Sequence, residues 1–293
     1  MKLVAAILLA LVSPLSAQGG TDIWLVQLTG TMRAPSVGAA ENITNRPGYD
    51  NQPSFSPDGG TMFFTSQREG QTDIYRYVIA TGSMMQVTRT PESEYSAQLM
   101  PGGKTISVIR VERDSTQRLW AFTLDGTAIN PVLETIKPVG YHAWLDAETV
   151  LVYLLGSAGN PATLQRVDVK SGTATIVASR IGRTILRATQ GTAIYYAQRD
   201  TSGWWVHELD GVRDRAVVKL PSSRDDFFGV TGDGDLIAAD GNRLLYYQRA
   251  EAKWIELAKF SEPGLQHITR IAVSPAGNSL ALVGNEPTPP QPQ

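Results

Sequence analysis

Gln52-Pro53-Ser54-Phe55-Ser56-Pro57-Asp58-Gly59-Gly60 is the stretch from which the fold follows. Pro57 restricts φ and Gly59 can take φ > 0, so Pro57-Asp58-Gly59 suits a tight reversal between antiparallel strands and would be out of place inside one. The turn recurs. Ala97-Gln98-Leu99-Met100-Pro101-Gly102-Gly103 places Pro101 44 residues after Pro57, and Val273-Ser274-Pro275-Ala276-Gly277-Asn278 places Pro275 218 residues after it, five such periods. Degenerate copies stand where the period demands, beginning at Ala143, Leu186 and Val230. Six copies of a unit of this length, with short strands and Gly-rich turns, predict an all-β fold: a six-bladed β-propeller of four-stranded blades.

In the clearest unit, strand a is expected at Pro53 to Ser56, b at Thr61 to Ser66, c at Asp73 to Ile79 and d at Met84 to Thr88. Apolar residues fall on both faces, as in Met62-Phe63-Phe64, which fits a blade packed between two neighbours rather than a sheet with one wet face. Thr192 to Asp200 superimposes on Thr61 to Glu69 without a gap, and Asp240-Gly241 reads as a two-residue hairpin turn. The last unit has only strands a and b, at Ile271 to Val273 and Ser279 to Val283. Its missing half is expected at the other end of the chain. Thr21-Asp22-Ile23-Trp24 matches Thr72-Asp73-Ile74-Tyr75 and Glu41-Asn42-Ile43-Thr44 matches Met85-Gln86-Val87-Thr88, so N-terminal strands should complete the last blade and remove two open sheet edges.

Ser56 to Gly59, Ser66-Gln67-Arg68-Glu69-Gly70, Ile74-Tyr75 and Val87-Thr88 follow one another in the order of a TolB-type repeat. The stretch Gln52 to Pro91 therefore resembles the TolB-like β-propeller family, sharply over this unit and approximately around the rest of the ring. The resemblance implies a propeller of the cell envelope that receives a protein partner. It also implies a stand-alone propeller, because no room is expected between Ala17 and the first strand for the α/β domain that precedes the propeller in TolB itself. The same repeat occurs fused to peptidase domains, and no catalytic domain is expected here.

Lys2 followed by the apolar run Leu3 to Val12 and by Ser13-Pro14-Leu15-Ser16-Ala17 reads as a secretory signal peptide, and the run is too short to span a bilayer. The expected organisation is thus a signal peptide at 1–17, the propeller at 18–286 and a disordered proline-rich tail at 287–293. A soluble, monomeric periplasmic or secreted protein follows, with no transmembrane segment after cleavage. The absence of cysteine excludes disulfides and a lipidated N-terminal cysteine, and 28 acidic against 26 basic residues give no reason to expect nucleic acid as a partner.

The loops before strand a and between strands b and c should open on one face around the central channel. They supply the candidate partner-binding residues Tyr49, Asp50, Arg68, Glu94, Tyr95, His142, Arg183, Arg199, Asp226 and His267. Aromatics mixed with both signs of charge suit a protein or peptide of the envelope, with Tyr and Arg as anchors. No cofactor or metal is expected: three histidines, no cysteine and no paired-histidine motif leave too few ligands for zinc or manganese. An all-oxygen calcium site from Asp50, Glu94 and Asp226 is the one metal alternative. No nucleophile-elbow motif is present, so a non-catalytic binding module is expected, against the alternative of an envelope hydrolase or carbohydrate-binding protein using channel-mouth carboxylates.

Overall fold

Short runs of β-branched and aromatic residues punctuated by glycine turns form 24 strands in a computed structural model that describes residues 20–31, 34–188 and 190–286. The signal peptide expected at 1–17 and the tail expected at 287–293 lie outside these residues. The chain opens with β1 (Thr21–Thr31) and β2 (Ala34–Asn42), which are set aside for the end of the ring. Blade 1 is β3 (Asp50–Phe55), β4 (Thr61–Arg68), β5 (Gln71–Val78) and β6 (Ser83–Gln86), and blade 2 is β7 (Ser93–Leu99), β8 (Thr105–Val111), β9 (Gln117–Thr123) and β10 (Ala128–Pro131). Blade 3 is β11 (Val139–Trp144), β12 (Thr149–Leu154), β13 (Thr163–Asp168) and β14 (Ala174–Ser179). Blade 4 is β15 (Ile181–Arg187), β16 (Ile194–Asp200), β17 (Gly203–Asp210) and β18 (Arg213–Lys219). Blade 5 is β19 (Phe228–Val230), β20 (Leu236–Asp240), β21 (Arg243–Gln248) and β22 (Lys253–Lys259).

The sixth sheet has the order β2-β1-β24-β23, where β23 is Ile268–Val273 and β24 is Ser279–Asn285. The expected clasp is there: β1 runs antiparallel to β24 from Thr21↔Asn285 to Gln27↔Ser279. Thr21 also donates its backbone N–H to Gly48 O at 2.9 Å and its hydroxyl to Asp50 O at 2.9 Å, which ties the composite blade to blade 1.

Each of six apolar clusters lies between two neighbouring blades, so the core is a ring of interfaces rather than one central mass. Met62 and Phe64 pack with Ile23, Leu25, Ala281 and Val283 of blade 6, whereas Phe63 packs with Ile106, Val108 and Phe122 of blade 2. Alternation along one strand thus feeds two interfaces, which is why both faces are apolar. Blade contact is close enough to exclude side chains at some turns. Gly126, in the c–d turn of blade 2, has φ +86° and an added Cβ would sit 1.8 Å from Val87 O of blade 1.

Two details differ from the sequence reading. The gap-free match of Thr192–Asp200 to Thr61–Glu69 is one residue out of register, because Ile194 and Tyr196 pack toward blade 3 as Met62 and Phe64 pack toward blade 6. A one-residue slip swaps the faces of a strand, and two adjacent tyrosines hide that slip in a sequence comparison. Likewise the tight turn of blade 5 is Gly241-Asn242, since Asp240 is paired with Arg243 at the end of the ladder.

Strand a of blade 1 also begins earlier than expected, at Asp50, and carries a bulge between Asn51 and Ser54. Pro53, which has no N–H for the ladder, sits in it. Comparable irregularities interrupt β7, β11, β15 and β23. Gln52 and Ser96, 44 residues apart, adopt left-handed φ of +57° and +53° in two of them. A recurring bulge at the inner strand of a closed ring re-aims side chains toward the channel.

Candidate functional site

The six a strands line a central cavity of about 580 Å³. Its floor is reached at the bulges, by Gln52, Tyr141, Arg183, Phe227 and Arg270, and it runs to the a–b turns at Pro57, Pro101 to Gly103, Asp146 and Pro275. The wall between mixes apolar residues such as Leu99, Leu186 and Val273 with Ser54, Gln98, Thr184, Arg187 and Ser274.

Across the inner end stands a collar of cations and aromatics. The guanidinium carbons of Arg183 and Arg270 lie 4.6 Å and 4.3 Å from the Phe227 ring centroid, and that of Arg270 lies 5.3 Å from the Tyr141 ring. These are cation–π distances that hold both guanidinium groups at the channel. Arg270 donates through Nε to Asn51 Oδ1 at 3.1 Å and through Nη2 to the Tyr141 hydroxyl at 3.4 Å. Tyr141 in turn meets Tyr153 edge to face, with centroids 5.8 Å apart. Burial pushes the Tyr49 phenol well above its ordinary range, and the charges of Arg270 and Arg183 act on it in the opposite sense, which places this tyrosine beside the same collar.

Of the ten residues read from sequence, His142 and Arg183 line the cavity. Arg183 donates to Asp226 Oδ1 at 3.0 Å while its backbone N–H meets Asp226 Oδ2. Burial disfavours the charged guanidinium, but Asp226 more than offsets it and keeps Arg183 cationic. His142 is 2% exposed, its Nε2 lies 2.7 Å from Ser107 Oγ, and Trp144 Nε1 donates to the same hydroxyl at 2.9 Å. Burial pulls the imidazole down to about 3, so it is neutral at physiological pH.

The other acids are committed within the blades. Asp50 is fully buried and pairs with Arg46 at 3.1 Å; burial raises its carboxyl while Ser66 and Arg46 hold it down. Glu94, also fully buried, lies 3.5 Å from Arg110 Nε and accepts from the Thr90 hydroxyl, and burial lifts its carboxyl to about 7. Asp50, Glu94 and Asp226 therefore face three different arginines rather than one cation position. Among the described residues no group of three or more His, Asp or Glu side chains could hold a metal ion.

Tyr95 donates to Thr72 Oγ1 at 3.3 Å, Arg68 stacks on Tyr75 at 4.2 Å, and His267 Nε2 meets Asp225 Oδ2 at 3.0 Å. Arg199 stacks on Trp204 at 5.4 Å and helps form a separate groove on blade 4 with Arg180, Trp205 and His207. The sequence reading passed over Phe227 and Arg270. The signal for both was the period itself, since they follow Arg183 by one and nearly two units at 44 and 87 residues.

The description "TolB beta propeller domain" matches residues 9–202. A TolB homolog of Chlorobium luteolum is 38% identical over 68 residues, covering 23% of this chain and 14% of that protein. Dipeptidyl-peptidase 5 of Porphyromonas gingivalis is 28% identical over 222 residues, covering 72% of this chain and 29% of that protein. The matched regions thus span well under half the length of either relative. Among solved structures, TolB from Acinetobacter baumannii superposes with a TM-score of 0.57 at 13% identity, covering 91% of this chain and 65% of that one. A chain from Agrobacterium tumefaciens described as a TolB superposes with a TM-score of 0.69 at 16% identity, covering 93% of this chain and 100% of that one. At such identities the superpositions speak for the fold alone.

Proposed function

The chain belongs to the TolB beta-propeller family, and from that premise we propose that it is an exported, non-catalytic module of the cell envelope that holds a protein or peptide partner in its central channel. The observation that carries this reading is the cavity of about 580 Å³ whose inner end carries the Arg183, Phe227, Arg270 and Tyr141 collar. Aromatics and arginine that combine apolar area with directed hydrogen bonds are what anchor protein partners.

An acid–base site would need a carboxyl with a displaced pKa facing the cavity. Glu94 is displaced, but it is fully buried and does not line the cavity; Asp226 is engaged by Arg183. That distribution favours binding over hydrolysis. Export is supported by the composition of residues 1–17, and among the described residues no helix is long and apolar enough to cross a membrane.

The test is affinity capture from an envelope extract with the wild-type protein and with Ser54→Trp, which places an indole in the cavity. Capture of one protein that is lost in Ser54→Trp, with melting unchanged, is the expected result. Capture indifferent to the filled cavity would move the site elsewhere.

A further inference from the structure

Among the described residues Asp226 pairs with Arg183, Asp50 with Arg46 and Glu94 with Arg110, while Asp225 faces His267. Among the described residues Arg270 has no carboxylate within ion-pair reach. Its neighbours are the Asn51 amide oxygen, the Tyr141 hydroxyl and two aromatic rings, so its charge is oriented but not neutralised. Arg183 stands on the other side of Phe227 in chain order, with its charge half-spent on Asp226 and its side chain 48% exposed. A cavity that ends in two guanidinium groups with one carboxylate between them carries a net positive end. Half-buried guanidinium is a strong and geometrically selective receptor for a planar anion, because two parallel N–H donors match two carboxylate oxygens.

The rest of the cavity limits what can bring that anion. Leu99, Leu186 and Val273 line it together with Ser54, Gln98, Thr184 and Arg187, so apolar area alternates with hydrogen-bonding groups, a mixture that suits a peptide presenting both kinds of side chain. The far end of the cavity is ringed by the a–b turns at Pro57, Pro101 and Pro275.

We propose that the channel receives a peptide segment whose carboxylate docks on Arg270 beside Arg183 while its apolar neighbours pack on the wall below. The proposal rests on the partner-binding reading and adds the chemistry of the contact. The carboxylate is that of an Asp, a Glu or a C-terminus, since all three present the same two oxygens.

The test is selection of binders from a displayed library of random dodecapeptides against the wild-type protein, Arg270→Gln and Arg270→Lys, with melting curves for all three. Wild-type binders should be enriched in a carboxylate flanked by apolar residues, and a selected peptide should lose about tenfold in affinity when that acid is changed to its amide. Arg270→Gln should abolish both the enrichment and the acid-over-amide preference, and Arg270→Lys should restore part of the preference because it keeps the charge without the fork. Binders without acid enrichment, or enrichment indifferent to Arg270→Gln, would overturn the carboxylate site and leave peptide binding standing. Failure to select any binder would overturn it too, with envelope capture deciding separately whether a partner exists. Arg270-dependent binding of trigalacturonate with no peptide binding would make the anion a uronate and overturn the peptide as its source.

Discussion

The junction between blades 6 and 1 joins the two ends of the chain, whereas the junction between blades 1 and 2 is crossed by continuous chain. At the first, both chain ends meet: Ile23 and Leu25 from the N-terminal strand and Ala281 and Val283 from the last strand pack on Met62, Phe64, Tyr75 and Tyr77. At the second, the chain is continuous, and Asp73 and Glu94 share Thr88 and Thr90 while Glu94 faces Arg110, much as Asp22 meets Thr44 and Asp50 meets Arg46 at the first. Closure of the ring therefore depends on noncovalent contacts alone, and its loss is global. The continuous junction can be loosened or tightened in place, and both junctions hold a buried carboxyl that burial raises, Glu94 at the second and Asp50 at the first.

The comparison is broken most completely by removing residues 18 to 45, which takes away β1 and β2 and leaves β24 with an open edge. Loss of the cooperative melting transition, or aggregation, is expected. A truncated monomer melting as the full chain does would refute closure by the N-terminal strands. Next in size, Phe64→Ala at the closing junction should cost about 3–5 kcal/mol, as expected for a fully buried aromatic. Phe63→Ala, one residue on and facing blade 2, should cost a similar amount by urea denaturation while leaving a single transition. If Phe64→Ala alone broadens the transition or makes it biphasic, the closing junction is the weaker of the two.

The pH response separates the junctions further. Burial raises Glu94 to about 7 in the folded protein, so its contribution to stability is present at low pH and is lost as pH rises from about 4.5 to 7. Relative to wild type, Glu94→Gln should gain about 1.4 kcal/mol per pH unit across that window. His142, at the junction of blades 2 and 3, is displaced the opposite way, to about 3. Its contribution is present above pH 6.5 and is lost as pH falls, so His142→Gln should gain on wild type by about the same slope as pH drops from 6.5 to 4.5. Chemical denaturation at half-unit intervals would show the two difference curves crossing; parallel curves would mean that one of these groups is solvated. The smallest effect is expected at Arg68→Gln, whose side chain lies over Tyr75 on blade 1 and not in the cavity, with a change within about 0.5 kcal/mol in stability and none in peptide capture.

The blade count, the strand order within each unit and the N-terminal clasp were legible in the chain because each rests on local chemistry. Pro57-Asp58-Gly59 can only turn, and Gly59 does so at φ +70°. Thr21 to Trp24 matches Thr72 to Tyr75 closely enough to identify a strand c without its blade. The register of β16 was not legible, since Tyr195 and Tyr196 are alike in chemistry and face opposite interfaces. Nor were the bulges at Gln52 and Ser96, whose left-handed backbone falls on residues with no intrinsic preference for it.

For the site, the sequence offered residue types and approximate positions around the channel, and by itself it determined that aromatic and charged side chains recur where strand a begins. Only the tertiary structure decided which of them share a space. Asp50, Glu94 and Asp226 occupy related positions in three blades, yet each is neutralised by a different arginine, while Arg270 from the last unit reaches Asn51 of the first and Tyr141 of the third. Those meetings span 219 and 129 residues of chain. They exist only because ring closure brings the ends of a periodic sequence to one axis, and no local preference of any residue encodes that distance.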